Sequence, residues 1–310
     1  SIGKRHAQNL LSIGHKDVVL LRELGKGNSL NLKEYNNIDD LIASKIDVII
    51  ISNPTSMHAK ILNHVIPLDF NILIEKPVIS NLKELKNINN LLENYKGIGM
   101  TAYNMRYHPC VIEIENIIKS NILGELYSAR FFVGQYLPDW RPDSDYTKSY
   151  SSNKTMGGGV IFDLIHEIDL ACKLIGKPVG SIKSIIDKVS NLYIDSEDMA
   201  EIVYSTKNKK IVSIHMDYVS RKYKRYVEII AEKGGLYLDF SLNQIIISIK
   251  GKKDRMIMFD NFTRNDMYLN MLKDYIDSIQ KSKPSPISIQ DGLVSNEIAI
   301  NLRNEYYYGW

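Results

Sequence analysis

Lys76 stands where a lysine can do acid-base chemistry, directly after an apolar run. The segment reads Ile72-Leu73-Ile74-Glu75-Lys76-Pro77, which is typical of a strand that ends at a turn. In a partly desolvated pocket that holds other cations, the pKa of a lysine falls toward neutral pH, and the amine then exchanges a proton with a hydroxyl or carbonyl group. A surface lysine whose stem lies on apolar residues is the alternative. We predict that Lys76 is the proton-transfer residue.

A second group of chemistry-bearing residues follows three glycines. Gly157-Gly158-Gly159 leads into Asp163, His166 and Glu167, which on one helix share a face at i, i+3 and i+4. An Asp and a His that converge on one pocket can orient a hydroxyl group and pass on its proton, while glycines let the helix start approach a ligand. An Asp–His surface pair remains the alternative. No third ligand is spaced to complete a metal site, so none is predicted.

The first hundred residues predict the elements that must position Lys76. Short apolar runs alternate with amphipathic helical patterns, which indicates βαβ units and a doubly wound parallel sheet. Predicted strands cover 17–21, 46–52, 70–74 and 98–102.

After residue 103 the pattern changes to an α+β domain with a large, mostly antiparallel open sheet. Helices are predicted at 110–119, 158–175, 265–281 and 290–306, and strands at 126–135, 200–205, 210–218, 226–231 and 244–249.

Three strand ends have features of a dinucleotide site. Gly3, before a helical pattern, resembles the last glycine of a GxGxxG turn, which suggests that the first strand and the earlier glycines precede Ser1; an ordinary turn glycine is the alternative. Arg22 and Glu23 follow the next strand, where an acid reads a ribose 2′-hydroxyl and an arginine a 2′-phosphate, so NADP is slightly favoured and NAD stays open. Two solvated charges would give the same pattern. The turn at residues 53–58 contacts a cofactor, caps the next helix, or does both.

Composition excludes several classes of protein. The 39 Lys and Arg residues are interleaved with 36 Asp and Glu, so no nucleic-acid partner is expected. No apolar run is long enough to cross a membrane. The two cysteines have neither metal-ligand nor disulfide spacing, which fits a reducing cytoplasm.

Taken in order, these motifs resemble the Gfo/Idh/MocA oxidoreductases, the relatives of glucose-fructose oxidoreductase and inositol dehydrogenase. The resemblance covers nearly the whole chain. It rests on Ser1-Ile2-Gly3-x-Arg5-His6, Asn53-Pro54-Thr55-x-x-His58, Glu75-Lys76-Pro77, Asn104-x-Arg106-x-His108-Pro109, and the glycines that lead to Asp163 and His166.

The resemblance implies a Rossmann domain over 1–103 that binds NAD or NADP, and a domain over 104–310 for substrate and oligomer contacts. Lys76 matches the catalytic lysine, with a cis bond to Pro77, and Asp163 and His166 match the second catalytic motif. In that motif the histidine usually lies four residues after the aspartate, and Glu167 holds that position here. Cofactor-binding residues implied are Ile2, Gly3, Arg22, Asn53, Pro54, Thr55, His58, Glu75, Lys76 and Asn104. Substrate-binding residues implied are Arg106, Tyr136, Trp140, Arg141, Tyr146, Asp163 and His166.

The loop that holds Tyr136, Trp140, Arg141 and Tyr146 further resembles members from bacterial surface-sugar pathways. Its aromatic rings suit stacking on a sugar or base, or equally a lid or an interface. We expect a cytoplasmic homodimer or homotetramer that transfers a hydride between nicotinamide and a carbinol carbon of a sugar, sugar derivative or nucleotide sugar. The alternatives are a redox-neutral epimerase or glycosidase that uses bound NAD, and a nicotinamide-sensing protein without activity.

Overall fold

The computed structural model describes residues 1–22, 28–140 and 142–308. Helices in these ranges are α1 Ile2–Ser12, α2 Ile38–Ala43, α3 His58–Val65, α4 Leu82–Leu92, α5 Pro109–Lys119, α6 Val160–Asp163, α7 His166–Leu174, α8 Arg264–Gln280 and α9 Ile289–Tyr308. Strands are β1 Val19–Leu21, β2 Lys33–Tyr35, β3 Val48–Ile51, β4 Asn71–Ile74, β5 Gly99–Thr101, β6 Leu126–Gly134, β7 Lys183–Asp187, β8 Met199–Ser205, β9 Ile211–Asp217, β10 Lys224–Ala231, β11 Gly234–Asp239, β12 Gln244–Ile249 and β13 Arg255–Met258.

The first hundred residues form parallel sheets, with a helix before each of β3, β4 and β5. β1 pairs with β2, and β3, β4 and β5 form a second sheet in sequence order. Ile72, Leu73 and Ile74 of β4 are all fully buried, as expected for a central parallel strand covered on both faces. The predicted Rossmann arrangement is therefore confirmed. Its short polar strand β2, Lys33-Glu34-Tyr35, gave no apolar signal in the sequence.

The rest of the chain builds an eight-stranded sheet in the order β13-β12-β11-β10-β6-β9-β8-β7. Only the β6–β9 pairing is parallel among these, so the predicted, mostly antiparallel sheet is confirmed. Side chains alternate between buried and exposed along β8. Helices α6, α7 and α9 pack on the buried face, which forms the core of this part.

The predicted continuous helix over 158–175 is wrong. α6 ends at Asp163, Leu164 and Ile165 form a turn, and α7 begins at His166. Within that turn the Glu167 N–H bonds to the Leu164 carbonyl at 3.1 Å, one residue short of an α-helical bond. Asp163 and His166 therefore do not share one helix face.

The two closing helices return to the Rossmann part and hold the segment after Lys76. Asn296 of α9 is fully buried; its side chain accepts from the Val78 N–H at 2.6 Å and donates to the Ile79 carbonyl at 2.6 Å. Tyr275 of α8 donates to the Ile98 carbonyl at 2.9 Å. Asn296, 218 residues further along the chain than Val78, thus fixes the backbone after Lys76, whereas Tyr275 bonds to the start of β5 at the opposite end of that sheet.

His108 begins helix α5 and is buried. Its Nδ1 accepts from the Cys110 N–H at 3.2 Å, and its ring meets Phe240 and Phe262 edge to face. Burial, and the positive charge of Arg225, lower the pKa of His108 to about 4. The neutral ring is the form that can accept this capping hydrogen bond.

The first prediction concerns the acid stability that His108 sets. Because its pKa in the folded protein is below the ordinary value of about 6.5, its contribution to stability is complete above that pH and is lost as the pH falls toward 4. Replacement by Asn keeps a capping side chain without the titration. Between pH 7 and pH 5 the wild type should lose about 2 kcal/mol more than His108→Asn in urea unfolding. Equal losses would contradict this assignment.

Candidate active site

Lys76 lies where the two parts of the chain meet. It follows β4, and the peptide bond to Pro77 is cis, as the family resemblance implied. Its Nζ donates to the main-chain carbonyl of Asp163 at 2.6 Å, which joins the Rossmann edge to the end of α6. Lys76 and Asp163, both predicted as catalytic residues, therefore lie in contact.

Burial sets the acid-base character of Lys76. The protein around its half-buried side chain removes water from the ammonium, and this desolvation lowers the pKa of Lys76. The carboxylates of Asp163 and Glu75 oppose the shift, and the charge of Arg225 adds to it. The net lowering favours an amine that can accept as well as donate a proton.

His58 holds together the two turns that flank the site. Its Nε2 lies 2.9 Å from the Asn53 carbonyl, and its Nδ1 lies 3.0 Å from the Pro77 carbonyl and 3.2 Å from that of Val78. Because the ring is buried and its nitrogens face the main chain, His58 positions these turns. The sequence predicted a cofactor contact for His58; its contacts here are structural.

Asp163 is fixed at two points. Its main-chain carbonyl accepts from Lys76, and its carboxylate accepts from the Tyr218 hydroxyl at 2.6 Å. Tyr218 is completely buried, and burial raises its pKa, so it stays a hydrogen-bond donor. Trp140 packs edge-on against the Tyr218 ring, with 5.2 Å between centroids.

His166 lies at the start of α7, close to the same group of charges. Its ring meets Tyr103 edge to face at 5.8 Å, and its buried Nδ1 has no hydrogen-bond partner among the described residues. Desolvation, reinforced by the charges of Lys76 and three arginines, lowers the pKa of His166 well below its ordinary value. The imidazole is therefore neutral at neutral pH.

Two buried ion pairs anchor the segment that begins with three glycines, residues 157–167, here called the glycine-led segment. Glu167 binds Arg225 of β10 at 2.7 Å, and Glu197 binds Arg303 of α9 at 3.0 Å. Arg303 also donates to the Gly158 carbonyl at 2.8 Å. Gly159 has a φ of 122°, and a Cβ there would overlap the Glu197 carboxylate, so a glycine is required at this position.

Thr55 connects the Rossmann turn to the loop of the second part. Its hydroxyl lies 2.8 Å from that of Tyr150, which donates to the Gly157 carbonyl at 2.6 Å. Because the Tyr150 proton goes to Gly157, the Thr55 hydroxyl is the donor of the pair. The loop after residue 136 therefore bonds to the same turn that was predicted to contact the cofactor.

The other predicted cofactor residues lie along the carboxyl ends of the strands and the start of α1. Ser1 caps α1 and Ile2 is its first residue, while a Cβ on Gly3 would lie 2.7 Å from the Ser52 hydroxyl. Gly3 thus serves the close helix–strand packing for which the fingerprint uses its last glycine. Asn53 precedes Pro54, and its Oδ1 is buried without a partner among the described residues.

Three further predicted cofactor residues already have partners. Glu75 binds His6 at 2.8 Å. Arg22 lies 3.7 Å from Glu34 across β1 and β2, while Glu23 lies outside the described residues. Asn104 is buried, and its amide contacts the Met267 sulfur of α8 at 4.0 Å.

Arg106 has a partner other than a ligand. It forms two hydrogen bonds, of 2.8 and 2.5 Å, to the carboxylate of Asp169, which is completely buried on α7. This ion pair with two parallel hydrogen bonds joins the turn after β5 to α7. Nε and Nη2 of Arg106 are used in this ion pair, and the substrate contact that the sequence predicted for Arg106 stays a prediction.

The predicted aromatic residues spread along one loop. Tyr136 stacks under the Arg221 guanidinium at 3.8 Å, and the Tyr146 hydroxyl accepts from the Tyr193 N–H at 3.2 Å. Trp140 lies nearest the site through Tyr218, with its Nε1 buried and unpartnered among the described residues. Arg141 lies outside the described residues.

Sequence reasoning missed Tyr218, Tyr150, Arg225, Glu197 and Arg303. Tyr218 follows β9 and Arg225 is the second residue of β10, so a strand end was the only available signal. Their partners lie 55 and 58 residues away, which no local spacing encodes.

No group of His, Cys, Asp and Glu within the described ranges has the arrangement of a metal site. None of the helices in those ranges is long and apolar enough to cross a membrane.

Family models match both parts of the chain. Residues 3–103 match the oxidoreductase family with an NAD-binding Rossmann fold, and residues 111–237 match the GFO/IDH/MocA C-terminal domain. The chain belongs to the Gfo/Idh/MocA oxidoreductase family. The predicted family and enzyme class are thereby confirmed.

Individual members of the family are similar over almost the whole chain. The myo-inositol 2-dehydrogenase of Thermotoga maritima is 21% identical, over 94% of this chain and 89% of that protein. A levoglucosan dehydrogenase solved with NADH and levoglucosan has a TM-score of 0.86 at 17% identity, covering 97% of this chain and 94% of that one. The UDP-N-acetylglucosamine 3-dehydrogenase of Acidithiobacillus ferrooxidans has a TM-score of 0.79 at 19% identity, covering 97% and 93%. At these identities the structures establish the shared fold.

Proposed function

We propose that this Gfo/Idh/MocA protein is an NAD(P)-dependent dehydrogenase of a sugar, sugar derivative or nucleotide sugar, with Lys76 as its general acid and base. The observation that supports this most is the 2.6 Å hydrogen bond from Lys76 to the Asp163 carbonyl. It brings a lysine with a lowered pKa, at the ligand-binding edge of a Rossmann sheet, to the glycine-led segment of the second part.

Each residue of the site then has a role in moving the proton. A bound nicotinamide supplies the hydride chemistry. In the oxidation direction the Lys76 amine accepts the proton of the substrate hydroxyl, and in reduction its ammonium donates to the carbonyl oxygen. Asp163 holds Lys76 in place and orients the substrate, and the neutral His166 assists as a hydrogen-bonding group.

The residues present fit a dinucleotide. The capped start of α1 offers main-chain N–H groups to a pyrophosphate, and the buried, unpartnered Oδ1 of Asn53 lies at the carboxyl end of β3. We propose that residues 1–103 form the cofactor domain and that residues 104–310 bind the substrate. The free thiols of Cys110 and Cys172 support a cytoplasmic location.

The relatives suggest the substrate class. Their names specify an inositol, an anhydrosugar and a nucleotide sugar, all of which carry secondary hydroxyl groups. Trp140, beside Tyr218, is the predicted aromatic residue best placed to contact such a ring.

The alternative function is a redox-neutral reaction with tightly held NAD. Such a reaction would show no net absorbance change at 340 nm during turnover, which distinguishes it from a dehydrogenase.

The second prediction tests Lys76. Lys76→Ala should lower kcat/KM by about 10²- to 10⁴-fold, because the proton then lacks a positioned donor and acceptor. NADH or NADPH formation is followed with myo-inositol, levoglucosan and UDP-N-acetylglucosamine, each with both cofactors.

The circular dichroism spectrum serves as the control for Lys76→Ala, and it should match that of the wild type if the fold is intact. Activity within about threefold of wild type, only ~0.7 kcal/mol of barrier, would show that another group moves the proton.

The third prediction concerns the choice of cofactor, which we propose Arg22 and Glu34 determine. A 2′-phosphate attracts the Arg22 guanidinium and is repelled by the Glu34 carboxylate, whereas a 2′-hydroxyl can donate to Glu34. Glu34→Gln should therefore raise, and Arg22→Ala lower, the ratio of kcat/KM for NADP to that for NAD, each by about tenfold. If neither variant moves the ratio, the ribose is read by other residues.

We also propose that the uncovered face of the large sheet joins subunits. Ile185, Ile211 and Ile230 on this face are 76%, 56% and 52% exposed, and Phe132 stacks between His215 and Tyr226 there. An apolar area of this kind, with no cover among the described residues, is typical of an oligomer interface.

The fourth prediction tests this interface by solution mass. The wild type should be a dimer or tetramer by light scattering, and the double variant Ile211→Asp/Ile230→Asp should be monomeric because it buries two charges in the contact. Ile112→Asp, on helix α5 and 45% exposed in the wild type, is the matched control and should keep the wild-type mass. A monomeric wild type would refute the proposal.

A further inference from the structure

Glu167 and Arg225 form an ion pair with one hydrogen bond where two are possible. The Arg225 Nε donates to Glu167 Oε1 at 2.7 Å, and the two side chains are 12% and 3% exposed. An arginine and a carboxylate can form two parallel hydrogen bonds. Here the second half is missing: Arg225 Nη2 and Glu167 Oε2 are both buried and have no partner among the described residues.

A second buried ion pair in this chain forms both parallel hydrogen bonds. Arg106 binds Asp169 through both its Nε and its Nη2, at 2.8 and 2.5 Å, although Asp169 is as deeply buried as Glu167. Burial alone therefore does not prevent an arginine and a carboxylate from forming both hydrogen bonds. The Glu167–Arg225 pair leaves one buried donor and one buried acceptor without a partner among the described residues, while a separate side-chain hydrogen bond joins Arg225 to Tyr223.

The Glu167–Arg225 pair borders the proposed site. Glu167 follows His166 in sequence, and the charges of both Glu167 and Arg225 act on Lys76. The Nδ1 of His166 is a third buried polar atom without a partner among the described residues. Unpartnered buried polar atoms are rare in folded proteins, and a bound water, an ion or a ligand group is the usual partner of such an atom.

The chemistry of the two atoms selects the ligand. Nη2 requires an acceptor and Oε2 requires a donor. A hydroxyl group satisfies both at once, whereas a carboxylate or phosphate would be repelled by Glu167 and an ammonium by Arg225. We propose that Glu167 and Arg225 bind a second hydroxyl group of the substrate, beside the carbinol that reacts, so that the substrate is a vicinal diol. This inference rests on the proposed dehydrogenase function.

Substrates that lack one hydroxyl group test the proposal. Wild type and Glu167→Gln are assayed with whichever of myo-inositol and levoglucosan is oxidised faster, and with its monodeoxy analogues. For the wild type, removal of the neighbouring hydroxyl should lower kcat/KM at least about tenfold, because the donor and acceptor lose their common partner. In Glu167→Gln the same removal should cost less than about threefold, since the acceptor is already gone.

Asp169→Asn is the matched control, since it alters a buried arginine pair that forms both hydrogen bonds. It should retain the wild-type penalty for the missing hydroxyl. Arg225→Lys gives an independent test that keeps the positive charge, and it too should reduce the penalty.

Equal penalties in the wild type and both pair variants would overturn the inference and leave the dehydrogenase proposal intact. An active wild type that is indifferent to every hydroxyl deletion would do the same. A wild type that oxidises UDP-N-acetylglucosamine and neither polyol is assayed in the same way with the monodeoxy analogues of that nucleotide sugar. A wild type that oxidises none of the three would refute the dehydrogenase proposal, and this inference with it.

Discussion

The site depends on a single hydrogen bond between a side chain and a main-chain carbonyl 87 residues away. Lys76 donates to Asp163 across the junction of the two parts, and neither partner could hold this arrangement alone. The lysine has a flexible stem, and Asp163 ends a helix of only four residues. Much of the surrounding structure can be understood as support for these two positions.

The supports on the Lys76 side are contacts to the main chain. His58 spans from the Asn53 carbonyl to the carbonyls that follow Lys76, and Asn296 of α9 bonds to Val78 and Ile79. These contacts fix the backbone that follows Lys76 and join it to the turn at Asn53. The turn that carries Lys76 is therefore held by residues other than the lysine side chain, which we propose moves the proton.

On the Asp163 side the supports are buried charges. Glu167, Asp169 and Glu197 each pair with an arginine from another element, and each pair would be costly to break because a lone charge would remain in the interior. Helix propensity is weak in a segment that starts with three glycines. Long-range ion pairs therefore fix the conformation of this segment, because its own helix propensity does not.

The sequence predicted most of this fold because its strands leave strong local signals. Unalternated apolar runs marked β3 and β4, and the order of motifs around Lys76, Asp163 and His166 indicated the family. The break between α6 and α7 escaped prediction because the apolar period runs through Leu164 and Ile165 without a proline or glycine. Tyr218 and Arg225 escaped because their roles arise only when the sheet brings them to the glycine-led segment.

The shortened Asp-to-His spacing can be understood from the same break. In a continuous helix a three-residue step and a four-residue step place a side chain on nearly the same face. The turn at Leu164 and Ile165 removes that equivalence, because it resets the direction of α7 relative to Asp163. With His166 as the first residue of α7, Glu167 falls inside and is neutralised by Arg225. The position that usually carries a histidine thus holds a buried glutamate paired with an arginine. Burial and nearby cations keep His166 neutral, which supports our proposal that Lys76 moves the proton.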